Sequence, residues 1–462
     1  MSQAFTQLHL GLGSFHRAHQ AVYLQHLHDL GDTAWELAGG NIRPDAEAVI
    51  EALIEQDGRY TLETVTPQGA RNYKEIGSIK RVVRWDAELS GLTAIAVEPT
   101  TRIISFTVTE AGYYLDALDQ LDKSYPDLVS DLSGETCCTL YGALARLLEA
   151  RRVAAAGPVT LMNCDNLRSN GDRFAKGFKQ FLELQGKSEL LAWVNAHTSS
   201  PNSMVDRITP RPTPEVIERV RAASTGVEDK AALSAEAFIQ WVVEDHFIAG
   251  RPAWEKVGVE LVEDVLPYEE AKIRLLNATH SCIAWAGTLA GYSYIHEGTL
   301  DSEIRQFAFD YVTEDVLPCL QPCPLNLEEY RDVVLDRFSN PNIKDTNARV
   351  AMDGYSKVPG FILPTIRDRL DRNESINAVA LLPALFLEFL RRERLGEVPY
   401  QYQDQLMEPG TAEAILNAVD PVSAFCSDRL LFNDLAGDER IVAAVRAAYV
   451  RAQTFAERRK AA

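Results

Sequence analysis

Positive charge is scarce in this chain: 46 lysines and arginines stand against 66 aspartates and glutamates, a formal net charge of −20. That balance argues against a nucleic-acid partner, because gripping a phosphate backbone needs clustered cations that release counterions. Any anionic ligand must instead be held by local backbone donors or by a few well-placed cations. Long apolar runs are also missing. The longest, such as Ala378–Leu387, fall far short of the roughly 20 residues that span a bilayer, so no membrane role is expected. The amino terminus carries no basic stretch followed by an apolar one, so no secretory signal is read there. Cysteines number seven, with Cys137 and Cys138 adjacent and the rest scattered. An odd, irregular set makes no disulfide framework and reads as the reduced thiols of a cytoplasmic protein. Internal repeats and low-complexity segments are absent as well.

What is present is an ordinary globular composition, 46% apolar and 24% charged over 462 residues, enough for two or three domains with real cores. Phe5–Leu10 reads as a buried strand. It leads into Gly11-Leu12-Gly13-Ser14-Phe15-His16-Arg17-Ala18-His19, then a helix to about Leu30 stopped by Gly31. With a second strand at Glu36–Gly40 this makes a βαβ unit. Tyr60–Thr66 and Tyr73–Val83, joined by Pro67-Gln68-Gly69-Ala70, read as an antiparallel hairpin inserted into the sheet. Ile103–Val108 and Val159–Asn163 read as central parallel strands, each ending in a polar cluster. Ligands of open α/β sheets gather at such carboxyl ends.

Beyond about Pro267 helical periodicity takes over, at Glu269–Leu289, Ser302–Val312, Leu327–Phe338, Ile376–Arg391, Thr411–Val419 and Glu439–Arg458. The expected fold class is therefore α/β. A dinucleotide-binding domain over 1–268, with a Rossmann-like, mostly parallel sheet and an inserted hairpin, precedes a mostly α-helical substrate domain over 269–462.

Gly11 and Gly13 fit the first two glycines of a dinucleotide fingerprint, one for the tight turn and one for close approach of the pyrophosphate. Ser14 and Phe15 open the helix behind them, and Thr109 and Glu110 end a central strand nearby in the sheet. His16 stands where the third glycine belongs, so by itself the motif is equally an ordinary strand-to-helix turn. Its place between strand and helix, at the start of a βαβ unit, favours the cofactor reading. After the second strand, Asp45 is the candidate for the adenosine ribose, which favours NAD, whereas Arg43 would instead meet a 2′-phosphate.

Lys272, Asn277 and His280 lie on one helical segment. At about 100° per residue, Asn277 falls about 140° and His280 about 80° from Lys272, within one broad arc. Leu276 shares that arc, and apolar surroundings lower a lysine's pKa toward that of a useful base. Spacing alone leaves a solvated lysine and a core histidine as the alternative. Cys319 and Cys323 have near-metal spacing, but prolines flank them and no second pair appears, so no metal site is expected. A Tyr-x-x-x-Lys pair of the short-chain dehydrogenase kind is absent after the fourth strand.

Five stretches carry a family resemblance: GLGSFHRAH at 11–19, Cys164-Asp165-Asn166, the segment Pro201–Pro210 (PNSMVDRITP), Lys272/Asn277/His280, and Arg349 through Asp353-Gly354 to Lys357. Together they resemble the long-chain polyol dehydrogenase family that includes mannitol 2-dehydrogenase, and GGNIRPDAE, GRYTLETVTPQG and FTVTEAGYY resemble its pentitol-oxidising members. The resemblance implies a metal-independent NAD enzyme acting on a small polyol or the corresponding ketose. It implies Lys272 as base, Asn166 and Asn277 as donors to the developing alkoxide, and His280 on a neighbouring hydroxyl. Arg349 and Lys357 then bracket the polyol or tune Lys272. Asp206 orients partners, or equally forms a structural ion pair with Arg207. Mannitol and uronate oxidation within the family, and a non-catalytic dinucleotide-binding protein outside it, are the competing readings. Oligomeric state is not encoded in any of these patterns.

Overall fold

The computed structural model describes residues 4–116, 120–224 and 228–460. The chain divides into two compact units, one running to Leu266 without Pro67–Gly69, the other comprising Pro67–Gly69 and Pro267 onward.

Among its described residues the first unit has twelve strands: β1 (Phe5–Leu10), β2 (Trp35–Gly40), β3 (Tyr60–Val65), β4 (Arg71–Ile76), β5 (Ile79–Val82) and β6 (Thr101–Phe106), then β7 (Val159–Asn163), β8 (Thr198–Ser199), β9 (Ser203–Asp206), β10 (Leu233–Glu236), β11 (Gln240–Glu244) and β12 (Glu260–Val262). Six form a parallel sheet in the order β5-β2-β1-β6-β7-β8. Counted along the chain that is 3-2-1-4-5-6, the doubly wound order of dinucleotide-binding sheets. The order reverses between β1 and β6, so their carboxyl ends flank the crevice where such sheets bind ligands. β1 and β7 are almost wholly buried; β7 (VTLMN) accordingly reads as a largely apolar run, whereas β1 also buries Thr6, Gln7 and His9.

The hairpin lies outside this sheet. β3 and β4 pair antiparallel, but β3 takes β10 as its other neighbour, and the three make a separate sheet. The stretch expected as one strand over Tyr73–Val83 breaks at Gly77-Ser78, and its second half, β5, becomes the edge of the main sheet. A third small sheet joins β9, β11 and β12.

In the second unit the helices Leu266–Ala271 and Ala278–Leu289 are joined by a π-helical turn, Lys272–Asn277. Among the described residues two further π turns occur, Tyr311–Val316 and Val358–Ile362, and the turn Lys272–Asn277 packs against both. The Tyr311 hydroxyl donates to the Arg274 carbonyl at 3.0 Å, so the second turn satisfies backbone of the first. Helix Ala278–Leu289 is buried around almost its whole circumference and packs against Asn347–Ala351 and Leu381–Arg394. The last of these starts five residues later than its periodicity suggests. Pro383 has no amide to donate and so suits a first turn, while the Val379 amide is taken by Asp315 Oδ2 at 2.7 Å.

Candidate active site

In the first unit the turn after β1 has the geometry that a dinucleotide needs. Gly11 sits at φ +97°, where a side chain is strained, and a Cβ built on Gly11 or on Gly13 meets no atom within 4 Å. Open space therefore lies over both glycines, ahead of the first-turn amides of Ser14 and Phe15. The Leu12 amide donates to Asn41 Oδ1 at 3.1 Å, and Asn41 Nδ2 to the Asp45 carbonyl at 2.7 Å, so one amide side chain ties the loop after β2 to the glycine turn. A dinucleotide phosphate fits this cradle.

His16 explains how the third glycine can be missing. Its ring stacks on that of His9 from β1, centroids 3.5 Å apart, and the helix Ser14–Ala18 breaks at His19. Burial holds both imidazoles neutral, His9 down at about 3. A ring pair thus fills the helix–strand contact that glycine would close.

Asp45 is exposed, as is Thr109 at the end of the segment after β6; the Glu110 side chain lies outside the described residues. Arg43 is committed to the protein itself, donating to the Cys138 carbonyl at 2.6 Å, the Tyr114 hydroxyl at 2.7 Å and Asp127 at 3.1 Å.

Past β7, Asp165 is buried and fastens the neighbouring segment. It accepts the Val108 amide at 2.5 Å and the Tyr113 hydroxyl. Burial pushes its carboxyl up to about 7, against those two donors. Asn166, next in sequence, is exposed. Asn170 then bridges to the segment Pro201–Pro210: its Nδ2 donates to the carbonyls of Asp165 (2.9 Å) and Ser203 (2.8 Å), and its Oδ1 accepts the Ser203 amide (3.0 Å). Asp206 is buried at the end of β9. The adjacent Arg207 donates to the carbonyls of Ala18 and Glu236, a backbone-holding use.

In the second unit Lys272 is 6% exposed and opens the π turn. This corrects the expected geometry. The i→i+5 winding rotates each residue through less than an α-helix's 100°, so Asn277 lies closer to the Lys272 direction than the roughly 140° of an α-helix. Lys272 and Asn277 thus share one face more closely than ideal α geometry allows.

His280 stacks on Phe338, centroids 4.3 Å apart, with Nε2 3.2 Å from Asp345 Oδ2, near enough for an ionic contact but off the line of a hydrogen bond. Asp345 also takes Arg349 in a two-pronged fork, Nε to Oδ1 at 2.7 Å and Nη2 to Oδ2 at 2.6 Å. Burial works to raise the Asp345 carboxyl, but His280 and Arg349 outweigh it and hold it well below the usual carboxylate range. His280 is lowered, chiefly by burial, although Asp345 opposes the shift. Lys357 Nζ donates to the Val350 carbonyl at 2.5 Å and to that of Met352, and burial brings it down to about 8. Lys357 thereby caps the helix that carries Arg349.

Asp345, Asn41 and Asn170 were not singled out by sequence. Asp345 had one signal, its place four residues before Arg349. Among the described residues no group of three or more His, Cys, Asp or Glu side chains is arranged to hold a metal ion, and no helix is long and apolar enough to cross a membrane.

Two family models account for most of the sequence, the mannitol dehydrogenase Rossmann domain over residues 6–256 and the mannitol dehydrogenase C-terminal domain over 264–453. The chain belongs to the mannitol dehydrogenase family. It is 57% identical to a D-arabinitol 4-dehydrogenase of Ralstonia nicotianae over 100% of this chain and 99% of the relative. To one from Klebsiella pneumoniae it is 53% identical, over 96% and 98%. Among solved structures it superposes on Pseudomonas fluorescens mannitol 2-dehydrogenase, in ternary complex with NAD and D-mannitol, with a TM-score of 0.85 at 32% identity, covering 99% of this chain and 94% of that one. As a member of this family the protein is a polyol dehydrogenase with a Rossmann domain for a nicotinamide dinucleotide.

Proposed function

We propose that the protein oxidises D-arabinitol at its fourth carbon to D-xylulose with NAD, without a metal, in the cytoplasm. The observation that carries this reading is the identity with D-arabinitol 4-dehydrogenases along the whole chain. Gly11, Gly13, Ser14 and Phe15 hold the pyrophosphate, Asp45 the adenosine ribose, and Thr109 and Glu110 line the cofactor. The preference for NAD is supported by Arg43, whose donors already serve Cys138, Tyr114 and Asp127 rather than a 2′-phosphate.

Lys272, as the neutral amine, takes the hydroxyl proton and becomes an ammonium while the carbinol C–H bond breaks and a carbonyl forms. Bound NAD⁺ supplies the acceptor for the hydride. Asn277, beside Lys272 on the π turn, donates to the oxygen as it gains negative charge, and Asn166 is assigned the same task. His280 and Arg349 hold neighbouring hydroxyls. Lys357 serves by fixing the backbone that carries Arg349, and Asp206 orients substrate-side partners. A lysine base supplies the proton acceptor that a metal-bound water would otherwise provide, which supports metal independence.

The test compares kcat/KM for D-arabinitol and D-mannitol with NAD in the presence of a chelator, for the wild type and Lys272→Ala. D-arabinitol is expected to lead by a factor on the order of 10 to 200, the range for sensing one extra carbon unit in a permissive pocket. The alanine variant is expected to lose about 10²- to 10⁴-fold in turnover with cofactor affinity intact. A ratio favouring mannitol sinks the substrate assignment; a fully active Lys272→Ala sinks the base; activity restored only by zinc sinks metal independence.

A further inference from the structure

The contacts of Asp345 go beyond charge pairing. Its carboxylate is 9% exposed, whereas the Arg349 side chain that it grips is 63% exposed. A forked carboxylate–guanidinium pair fixes Arg349 in one orientation while leaving its remaining N–H donors facing outward. The second oxygen faces His280 Nε2, and Phe338 backs that ring. Even off the line of a hydrogen bond, the negative carboxylate favours the neutral imidazole's proton on the nearer nitrogen, Nε2, which leaves Nδ1 as an acceptor.

The backbone of Asp345 is anchored as well. Its carbonyl accepts the Ile295 amide at 2.9 Å, Thr346 bridges to Tyr294, and the Thr346 hydroxyl accepts the Arg349 amide at 3.2 Å. The residue is thus pinned to the segment that follows the helix bearing His280, and it directly precedes Thr346, which caps the helix bearing Arg349.

We propose that Asp345 is a positioning residue for substrate recognition: it fixes His280 as an acceptor and Arg349 as a donor, a matched pair for the hydroxyls of a polyol. This rests on the roles given above to His280 and Arg349. A polyol hydroxyl both donates and accepts, so one acceptor and one donor held rigidly select it over a bare alkyl chain. Preorganisation of this kind lowers the entropy lost when the substrate is bound in register.

The experiment measures kcat, KM for D-arabinitol, NADH affinity by fluorescence, and Tm. The proteins are the wild type, Asp345→Asn, Asp345→Glu, His280→Ala combined with Arg349→Ala, and that pair with Asp345→Asn added. Asp345→Asn is expected to raise KM about 10- to 100-fold, with a smaller fall in kcat and NADH affinity within about twofold. In the background lacking both His280 and Arg349 the same change is expected to leave KM nearly unaltered, since residues acting as one unit are non-additive. Asp345→Glu, which keeps the charge on a longer arm, is expected to be intermediate, and it stands in should Asp345→Asn fail to fold. A KM effect that persists undiminished in that background, or that merely follows Tm, overturns the proposal. A wild type that turns over polyol alongside an Asp345→Asn of unchanged KM overturns this inference alone. A wild type that oxidises no polyol overturns the functional reading with it.

Discussion

Asp165 illustrates how a buried carboxyl can link a site to pH. Burial raises it to about 7, against the Tyr113 hydroxyl and the Val108 amide that favour its charge. The folded protein therefore keeps a proton that the unfolded chain, with an ordinary aspartate near 3.9, releases. Between those two values the folded state binds more protons, so stability falls as pH rises through that window and the loss is complete above about 7. Asp165→Asn keeps the shape and one carbonyl acceptor while removing the charge. It is expected to gain stability relative to wild type at pH 8 compared with pH 5, by up to about 3 kcal/mol. Calorimetric Tm at both pH values checks this, and an equal difference at both shows that Asp165 ionises like a surface aspartate. The sequence displayed Asp165 inside a motif but not this role, because its partners at Val108 and Tyr113 come from another strand end.

At the scale of elements, helix Asn170–Leu184 meets the segment Pro201–Pro210 through Gly171. A Cβ there would stand 2.5 Å from the Ser200 carbonyl oxygen and 2.6 Å from that of Pro201, both backbone atoms that cannot swing aside. Gly171→Ala is expected to cost about 1–3 kcal/mol, the range for overpacking. Gly360, in the π turn after Lys357, would meet nothing within 4 Å, so Gly360→Ala is expected to be neutral or mildly stabilising. Urea midpoints at constant m separate the two cases, and equal effects would remove the packing argument. Most elements were legible: Leu327–Phe338 has the limits its periodicity predicts, and β1 and β7 do as well. The π turns were not, because a single extra residue is a local change of winding that a period read over many residues does not resolve. That widened turn is what brings Asn277 closer to the face of Lys272.

For the whole molecule, a net charge of −20 opposes the approach of an anionic dinucleotide at long range. Raising ionic strength from 0.01 to 0.15 M shortens the Debye length from about 30 to about 8 Å and screens that repulsion. NADH association is therefore expected to quicken with salt, by less than about tenfold, as stopped-flow fluorescence can measure. Slower association would mean that a local cationic patch, and not the overall charge, governs the encounter.

The order of elements, the glycine turn of the first βαβ unit and the helical character of the second half follow from the sequence alone. Each is written in neighbouring residues, through strand alternation, helical period and the conformations that glycine and proline permit. Lys272, the proposed base, and Asn277, His280 and Arg349 were likewise visible, as motif residues. Tertiary structure alone decided what those residues touch. It paired β3 with β10 outside the main sheet, spent Arg43 on Cys138, Tyr114 and Asp127, and set Asp345 between His280 and Arg349. Such partners lie far apart in the chain, and packing brings them together where no local propensity records it.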